Sequence, residues 1–348
     1  MKFSCEKFVL QNAIVIASRA AASKSPIPAL EGLLISAGKD VRITGYDLKE
    51  GIYTTIEGEV ERPGEIVVGA RLFGEMIRRM PDGKVTVDTD EKNNVSVRCG
   101  KSEFNFIGIS AEDYPEIPTV EGINNITLPQ KILKNMINQT IFAVSTSDVR
   151  PIYTGVLFEA AGDQLTLVAV DGYRLAKRCE KIENAQLEEC SFVVPGPSLS
   201  DIERICADED GDVEIAVGAK HISFVIGGTV VISRRLEGEF LNYRKSIPSE
   251  FRFKLGVSRA ELMSAIDRVS IIVSEKNSSP VRMTCGDGSI GMFCITPIGK
   301  AEDVCMCGGS GENLEIGFND RYLTDALKAA GEEKLFLCLN TASSPCII

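Results

Sequence analysis

A chain of 348 residues is longer than one ordinary core sustains and leaves room for three domains of common size. Apolar residues make up 44% and charged residues 25%, which excludes a disordered chain, and no apolar run approaches the roughly 18 residues of a membrane helix. The formal net charge of −11 argues against a uniformly basic surface, so any contact with a polyanion has to come from local clusters.

Met1-Lys2-Phe3-Ser4-Cys5-Glu6 opens as a strand and lacks the basic, apolar and small-residue order of a signal peptide, which points to the cytoplasm. A helix follows, with Phe8, Val9, Ala13, Ile16, Ala17 and Ala20 assigned to its buried side. Alternating stretches at Leu33–Ser36, Val41–Tyr46 and Ile52–Glu57 read as strands, separated by turn residues. Ile66–Val68 leads into a helix over Ala70–Met80, on which Phe73, Met76 and Met80 share a face at i, i+3, i+7. Lys84–Asp88, Val95–Arg98 and Glu103–Ile107 complete a unit of strand, helix and three strands, used twice.

The same order returns two more times. Leu199, Ile202 and Cys206 match the spacing of Phe73, as do Leu323, Ala326 and Ala330; the steps from Phe73 to Leu199 to Leu323 are 126 and 124 residues. The linkers echo one another, with Tyr114 and Tyr243 lying 129 apart and Pro118 and Pro248 lying 130 apart. The expected fold is α+β: three repeated domains, 1–122, 123–248 and 249–348, each a doubled strand-helix-three-strand unit with helices on antiparallel sheets. By the same repeat, the third domain stops roughly 20 residues early and lacks its last strand and C-terminal tail.

Eleven cysteines are scattered, and the pair Cys305-Met306-Cys307 has too short a spacer for a zinc knuckle, so reduced and mostly buried thiols are expected, with no metal and no cofactor. His221 reads as a strand-end histidine. Cys307-Gly308-Gly309-Ser310-Gly311 lacks the Lys of a phosphate-binding loop and reads as a flexible connection. No arrangement of nucleophile and base marks an enzyme. Two other readings stay open: a thiol- or metal-dependent enzyme built on Cys285, Cys294, Cys305 and Cys307, and an oligomeric scaffold that never touches nucleic acid.

The helical windows Glu6–Lys24, Ala70–Met80 and Pro129–Ser147 carry +2 each, Ser198–Asp208 carries −2, and Ser258–Ser274 and Asp320–Ala330 are balanced. The helices therefore hold +4 and the remainder −15, which suits a body that offers helices to a polyanion and repels one elsewhere. A row of three similar domains leaves a strand edge open at each end, and two copies joined head to tail close a ring of six and remove both edges. Phe104 and Phe106 on the last strand of domain one, and Ile271 and Ile272 at the end of a domain-three helix, are the candidate dimer interface.

With the triple repeat, several short runs stand in a specific order: Met1-Lys2-Phe3, Pro26-Ile27-Pro28-Ala29-Leu30, Asp148-Val149-Arg150, Val168 through Ala176, and Glu315-Ile316-Gly317-Phe318-Asn319. Together they make the whole chain resemble the beta subunit of bacterial DNA polymerase III, the replicative sliding clamp. The resemblance implies a non-catalytic, head-to-tail homodimeric ring around duplex DNA that tethers the polymerase without reading sequence. It implies DNA-facing positions at Lys24, Arg71 and Arg150, although Pro151 and Ile152 follow Arg150 where the family often has aromatics. It also implies a pocket for peptides of the polymerase alpha subunit, the clamp loader and other clamp-binding proteins. The pocket would be lined by Arg150, Tyr153, Gly172, Tyr173, Arg174, Leu175, Leu241 and Ser246. Asp171-Gly172 is itself a hairpin-turn signal that would set Tyr173 and Leu175 beside the linker.

Overall fold

The computed structural model describes residues 1–122, 124–182, 187–207, 211–273 and 279–348. Ile123 at the first expected boundary, and Asp208 and Ser274 at the ends of two helical windows, lie outside these residues.

The first repeat runs β1 (Lys2–Glu6), α1 (Lys7–Ala17), β2 (Gly32–Ala37), β3 (Val41–Tyr46), β4 (Glu50–Ile56), β5 (Glu59–Arg62), β6 (Gly64–Gly69), α2 (Ala70–Arg79), β7 (Lys84–Thr89), β8 (Asn94–Cys99) and β9 (Ser102–Ile107). The second runs β10 (Asn124–Pro129), α3 (Gln130–Asn138), β11 (Gly155–Gly162), β12 (Gln164–Val170), β13 (Leu175–Lys181), β14 (Leu187–Pro195), α4 (Gly196–Ile205), β15 (Asp212–Val217), β16 (His221–Ile226) and β17 (Thr229–Arg234). The third runs β18 (Phe253–Ser258), α5 (Arg259–Ser270), β19 (Val281–Thr296), β20 (Gly299–Phe318), α6 (Asp320–Ala329) and β21 (Lys334–Leu339). After β21 the chain turns back, and Ile347 and Cys338 exchange backbone hydrogen bonds of 2.8 and 3.0 Å.

The doubled units interlock. β1 leaves its own three strands and joins β7, in the order β5-β1-β7-β8-β9, and β6 in turn pairs with β2. The second repeat does the same: β10 lies on β15, and β14 lies on β11 in the order β13-β12-β11-β14. β4 and β17 pair antiparallel from Thr54↔Thr229 to Glu50↔Ser233, so the first and second repeats share one eight-stranded sheet, β10-β15-β16-β17-β4-β3-β2-β6. The Thr54 and Thr229 hydroxyls meet there at 3.0 Å and satisfy each other in a buried position. The third repeat forms the sheet β19-β20-β18-β21.

Helices lie on these sheets through apolar stripes, and three of the expected stripes differ. On α1 the buried residues are Leu10, Ala13, Ile14 and Ala17, while Phe8 is 71% exposed. The stripe is set by where α1 crosses β4 and packs against α2, a long-range property that periodicity among many apolar residues leaves ambiguous. On α2 Ile77 is buried with Phe73, and Met76 is only half-buried; on α6 the buried pair is Leu323 and Leu327, with Ala326 and Ala330 half-buried. In both helices an i, i+4 pair carries the contact. Leu199 and Ile202 on α4, and Cys206 just after its end, are buried as expected.

Two other expectations are corrected. Between the expected strands Ile52–Glu57 and Ile66–Val68 the chain adds β5 at Glu59–Arg62, an edge strand of four residues whose Val60 lies opposite Phe3. The glycine-rich run is strand: Val257 pairs with Cys307 and Gly256 with Gly308, and Asp287 pairs with Ser310. Its glycines answer a close approach of chains, since a Cβ on Gly311 would stand 2.4 Å from Cys285 Cβ.

Two compact units result. The first comprises Met1–Ile137, Ser147–Val168 and Arg178–Gly238; the second comprises Asn138–Thr146, Ala169–Lys177 and Glu239–Ile348. The tip of the β12–β13 hairpin thus groups with the third repeat.

Candidate functional site

That hairpin tip holds the best-defined polar constellation of the second unit. Gly172 takes φ +96°, open to glycine at little cost, and lets the chain turn sharply after Asp171. Asp171 Oδ1 accepts the backbone N–H of Tyr173 at 2.8 Å and that of Arg174 at 3.0 Å, an Asx turn that fixes the loop. Arg174 Nε donates to Asp171 Oδ2 at 3.0 Å, and its Nη1 donates to Asp325 Oδ2 on α6 at 2.7 Å. The guanidinium carbon also lies 4.3 Å from the centroid of Tyr322 and 5.4 Å from that of Phe142. Tyr173 is left 85% exposed, with its ring centroid 6.1 Å from that of Tyr322.

Gly172, Tyr173, Arg174 and Leu175 are therefore brought together as the turn signal implies, with Leu175 half-buried at the start of β13. In the same unit Lys177 Nζ reaches over the ring of Tyr243, at 6.0 Å from its centroid. Tyr243 is buried and begins the short helical turn Tyr243–Ser246, which anchors the linker carrying exposed Leu241 and Ser246. Arg150 and Tyr153 belong to the first unit, where the Arg150 guanidinium lies 5.8 Å from the Tyr153 ring and its carbonyl accepts the Tyr153 N–H. Phe142, Tyr322 and Asp325 escape a reading of the sequence. Asp325 sits on a charge-balanced helix and Tyr322 precedes a buried Leu, so neither carries a local signal.

Among the cations of the first unit, Lys24 lies in an exposed loop beyond α1, because the helical window ends at Ala17 and Ser18–Ala20 forms a short 3₁₀ turn. Arg71 is exposed in the first turn of α2. Neither makes an ion pair among the described residues. The other charges of these windows are largely spent: Arg78 and Arg79 hold Glu75 at 2.7 and 3.2 Å, Arg19 holds Asp201 at 3.2 Å, and Lys7 holds Asp82 at 3.2 Å.

Phe104 and Phe106 stand half-buried on the core side of β9, which among the described residues pairs only with β8 and leaves its other edge open. At the end of α5, Ile271 is 79% exposed and Ile272 half-buried. Ile298, Val304 and Met306, on and beside the outer part of β20, are also exposed, an apolar group not evident from sequence.

Burial pushes Cys206 up to about 11 and Cys285 up to about 11, and only Cys179 is fully exposed among the free cysteines. No group of three or more His, Cys, Asp or Glu is arranged to hold a metal among the described residues. His221 opens β16, with its pKa lowered by burial and by nearby Arg234 and Lys220.

Three family models match in order: the N-terminal domain of the DNA polymerase III beta subunit over residues 1–118, its central domain over 127–242 and its C-terminal domain over 244–348. The beta sliding clamp of Halalkalibacterium halodurans is 33% identical, with 100% of this chain and 95% of that protein covered. The crystal structure of the DNA polymerase sliding clamp from Bacillus subtilis matches at TM-score 0.95 and 32% identity, covering 99% of this chain and 94% of that one. The DNA polymerase III beta subunit of Pseudomonas aeruginosa matches at TM-score 0.94 and 27% identity, over 99% and 95%.

Proposed function

Since the chain belongs to the DNA polymerase III beta subunit family, the beta sliding clamps, which are non-catalytic processivity factors of DNA replication, we propose that it works as half of a closed ring. Two copies join head to tail, encircle duplex DNA and hold the replicative polymerase to it.

The observation that carries this reading is the seam between β4 and β17, where the last strand of one repeat extends the sheet of its neighbour. In repeat order β9 is the counterpart of β17, and the outer part of β20 is the counterpart of β4. β9 has an open edge, and the outer part of β20 is flanked by exposed Ile298, Val304 and Met306. Pairing β9 of one copy with this part of β20 of another repeats the seam by twofold symmetry and covers both edges. Phe104, Phe106, Ile271 and Ile272 then supply apolar packing beside the joint.

A ring supports processivity through topology. Lys24, Arg71 and Arg150 make weak phosphate contacts that position DNA without reading bases, and the closed collar prevents escape while allowing sliding. The excess of acidic residues resides elsewhere and discourages binding to the outside. We assign peptide tails of the polymerase alpha subunit, the clamp loader and other clamp-binding proteins to the surface of the second unit that carries Gly172, Tyr173, Arg174, Leu175, Leu241 and Ser246. Domain limits are taken at 122/123 and 248/249. This work belongs in the cytoplasm, where bacterial chromosomes replicate; no helix of the described residues is long and apolar enough to cross a membrane.

Sedimentation equilibrium tests the assembly. The expected mass is twice the 37.7 kDa of one chain, and a monomer at micromolar concentration would remove the ring.

A further inference from the structure

A guanidinium that lies beside a ligand surface either contacts the ligand or holds the surface in shape. Arg174 is already committed on several sides. It donates to a carboxylate on its own turn, to a second carboxylate 151 positions away on α6, and stands 4.3 Å from the Tyr322 centroid. Its side chain is only 19% exposed, whereas the ring of its neighbour Tyr173 is open to solvent. Asp171 is committed as well, since the oxygen not held by Arg174 accepts the amides of residues 173 and 174. On α6, Asn319 Oδ1 caps the helix by accepting the Tyr322 N–H at 3.1 Å, and Gln139 Nε2 donates to the Ala329 carbonyl at 3.2 Å, so the far end of the tether is firmly placed.

From this geometry we infer that Arg174 is a positioning residue: through Asp325 it latches the Asp171 turn to α6 and so fixes where the exposed ring of Tyr173 stands beside Tyr322. The inference rests on the peptide-binding reading above and alters it in one respect. The peptide meets the two tyrosine rings and Leu175, while Arg174 serves from behind. Asp325, the far anchor of the latch, becomes as important as Arg174. The planar, forked guanidinium is required, because a lysine ammonium cannot bridge two carboxylates in fixed directions while lying beside an aromatic ring.

The test is a double-mutant cycle on the full chain with the C-terminal peptide of the cognate polymerase alpha subunit, read by calorimetry. Arg174→Ala and Asp325→Ala are each expected to weaken binding by about tenfold, as loss of one charge-assisted hydrogen bond implies, and the double variant should be no weaker than either. Arg174→Lys should not restore affinity. Asp325→Ala binding within twofold of the parent, with Arg174→Ala weakened, would make Arg174 a direct contact and overturn the latch.

Amide hydrogen exchange supplies a readout that needs no peptide. Asp325→Ala should speed exchange at Tyr173 and Arg174 with the melting temperature little changed, and unchanged exchange there would equally overturn it. If the parent chain binds no peptide while exchange responds as expected, the latch stands and the peptide-binding reading fails.

Discussion

Glu50, the first residue of β4, is buried with one carboxylate oxygen unpartnered, an expensive state for a charge. Burial first, then the charge of Asp201, raises its pKa from 4.5 to about 8, against a hydrogen bond from Ser198 and with a further push from Asp47. Arg19 faces the same cluster but is committed to Asp201. A carboxyl whose folded pKa is raised contributes stability that is complete below the unfolded pKa and is lost as pH rises toward the folded one. Thermal stability of the protein should therefore fall between pH 5 and about pH 8, and Glu50→Gln should flatten that slope; equal slopes in parent and variant would refute the assignment. A second residue-scale test lies at Gly45, where a Cβ would stand 2.0 Å from the Ala17 carbonyl oxygen because β3 runs directly against the end of α1. Gly45→Ala should cost about 3 kcal/mol in chemical unfolding, in the upper range for overpacked sites.

At the scale of elements, the contact between helix and sheet is decided by few side chains. Phe73→Ala on α2 should cost about 3–5 kcal/mol, while Met76→Ala should cost well under half of that, because only Phe73 is fully buried. Strand and helix positions were largely legible from the chain itself: a period-2 run such as Val41–Tyr46 coincides with β3 end to end. What sequence conceals is non-local. Phe8 is apolar enough to be taken for core, yet it points outward because Leu10 and Ile14 own the contact with the sheet. The seam between β4 and β17 joins residues about 175 positions apart, as Thr54 and Thr229 are, and no local pattern announces it. The same limit applies to the candidate site. The Asp171-Gly172 turn is plain in the sequence, whereas its tether to Asp325 is invisible until α6 is placed. The outer part of β20 offers the corresponding test between copies. Val304 and Ile298 are exposed, so Val304→Asp with Ile298→Asp should leave the fold and melting temperature of a single chain intact while reducing the sedimenting mass to one chain. A dimer that survives both changes would move the interface elsewhere.

For the whole molecule, an acidic protein that must stay on DNA needs a device other than affinity, and closure supplies one. Lys24 and Arg71 carry exposed charge without ion-pair partners among the described residues, which makes them the economical places for phosphate contact. Lys24→Ala with Arg71→Ala should weaken binding to short linear duplexes and lower the salt dependence by roughly 0.9 per lost cation. Retention on a closed circle should hardly change, because it does not depend on those contacts. The most direct measurement loads the protein with its clamp loader onto nicked circular DNA, isolates the complex, and then linearises half of it with a restriction enzyme. The protein is expected to remain on the circle at moderate salt and to leave once ends exist. Equal retention on circular and linear DNA, or loss from both, would contradict a collar held by topology.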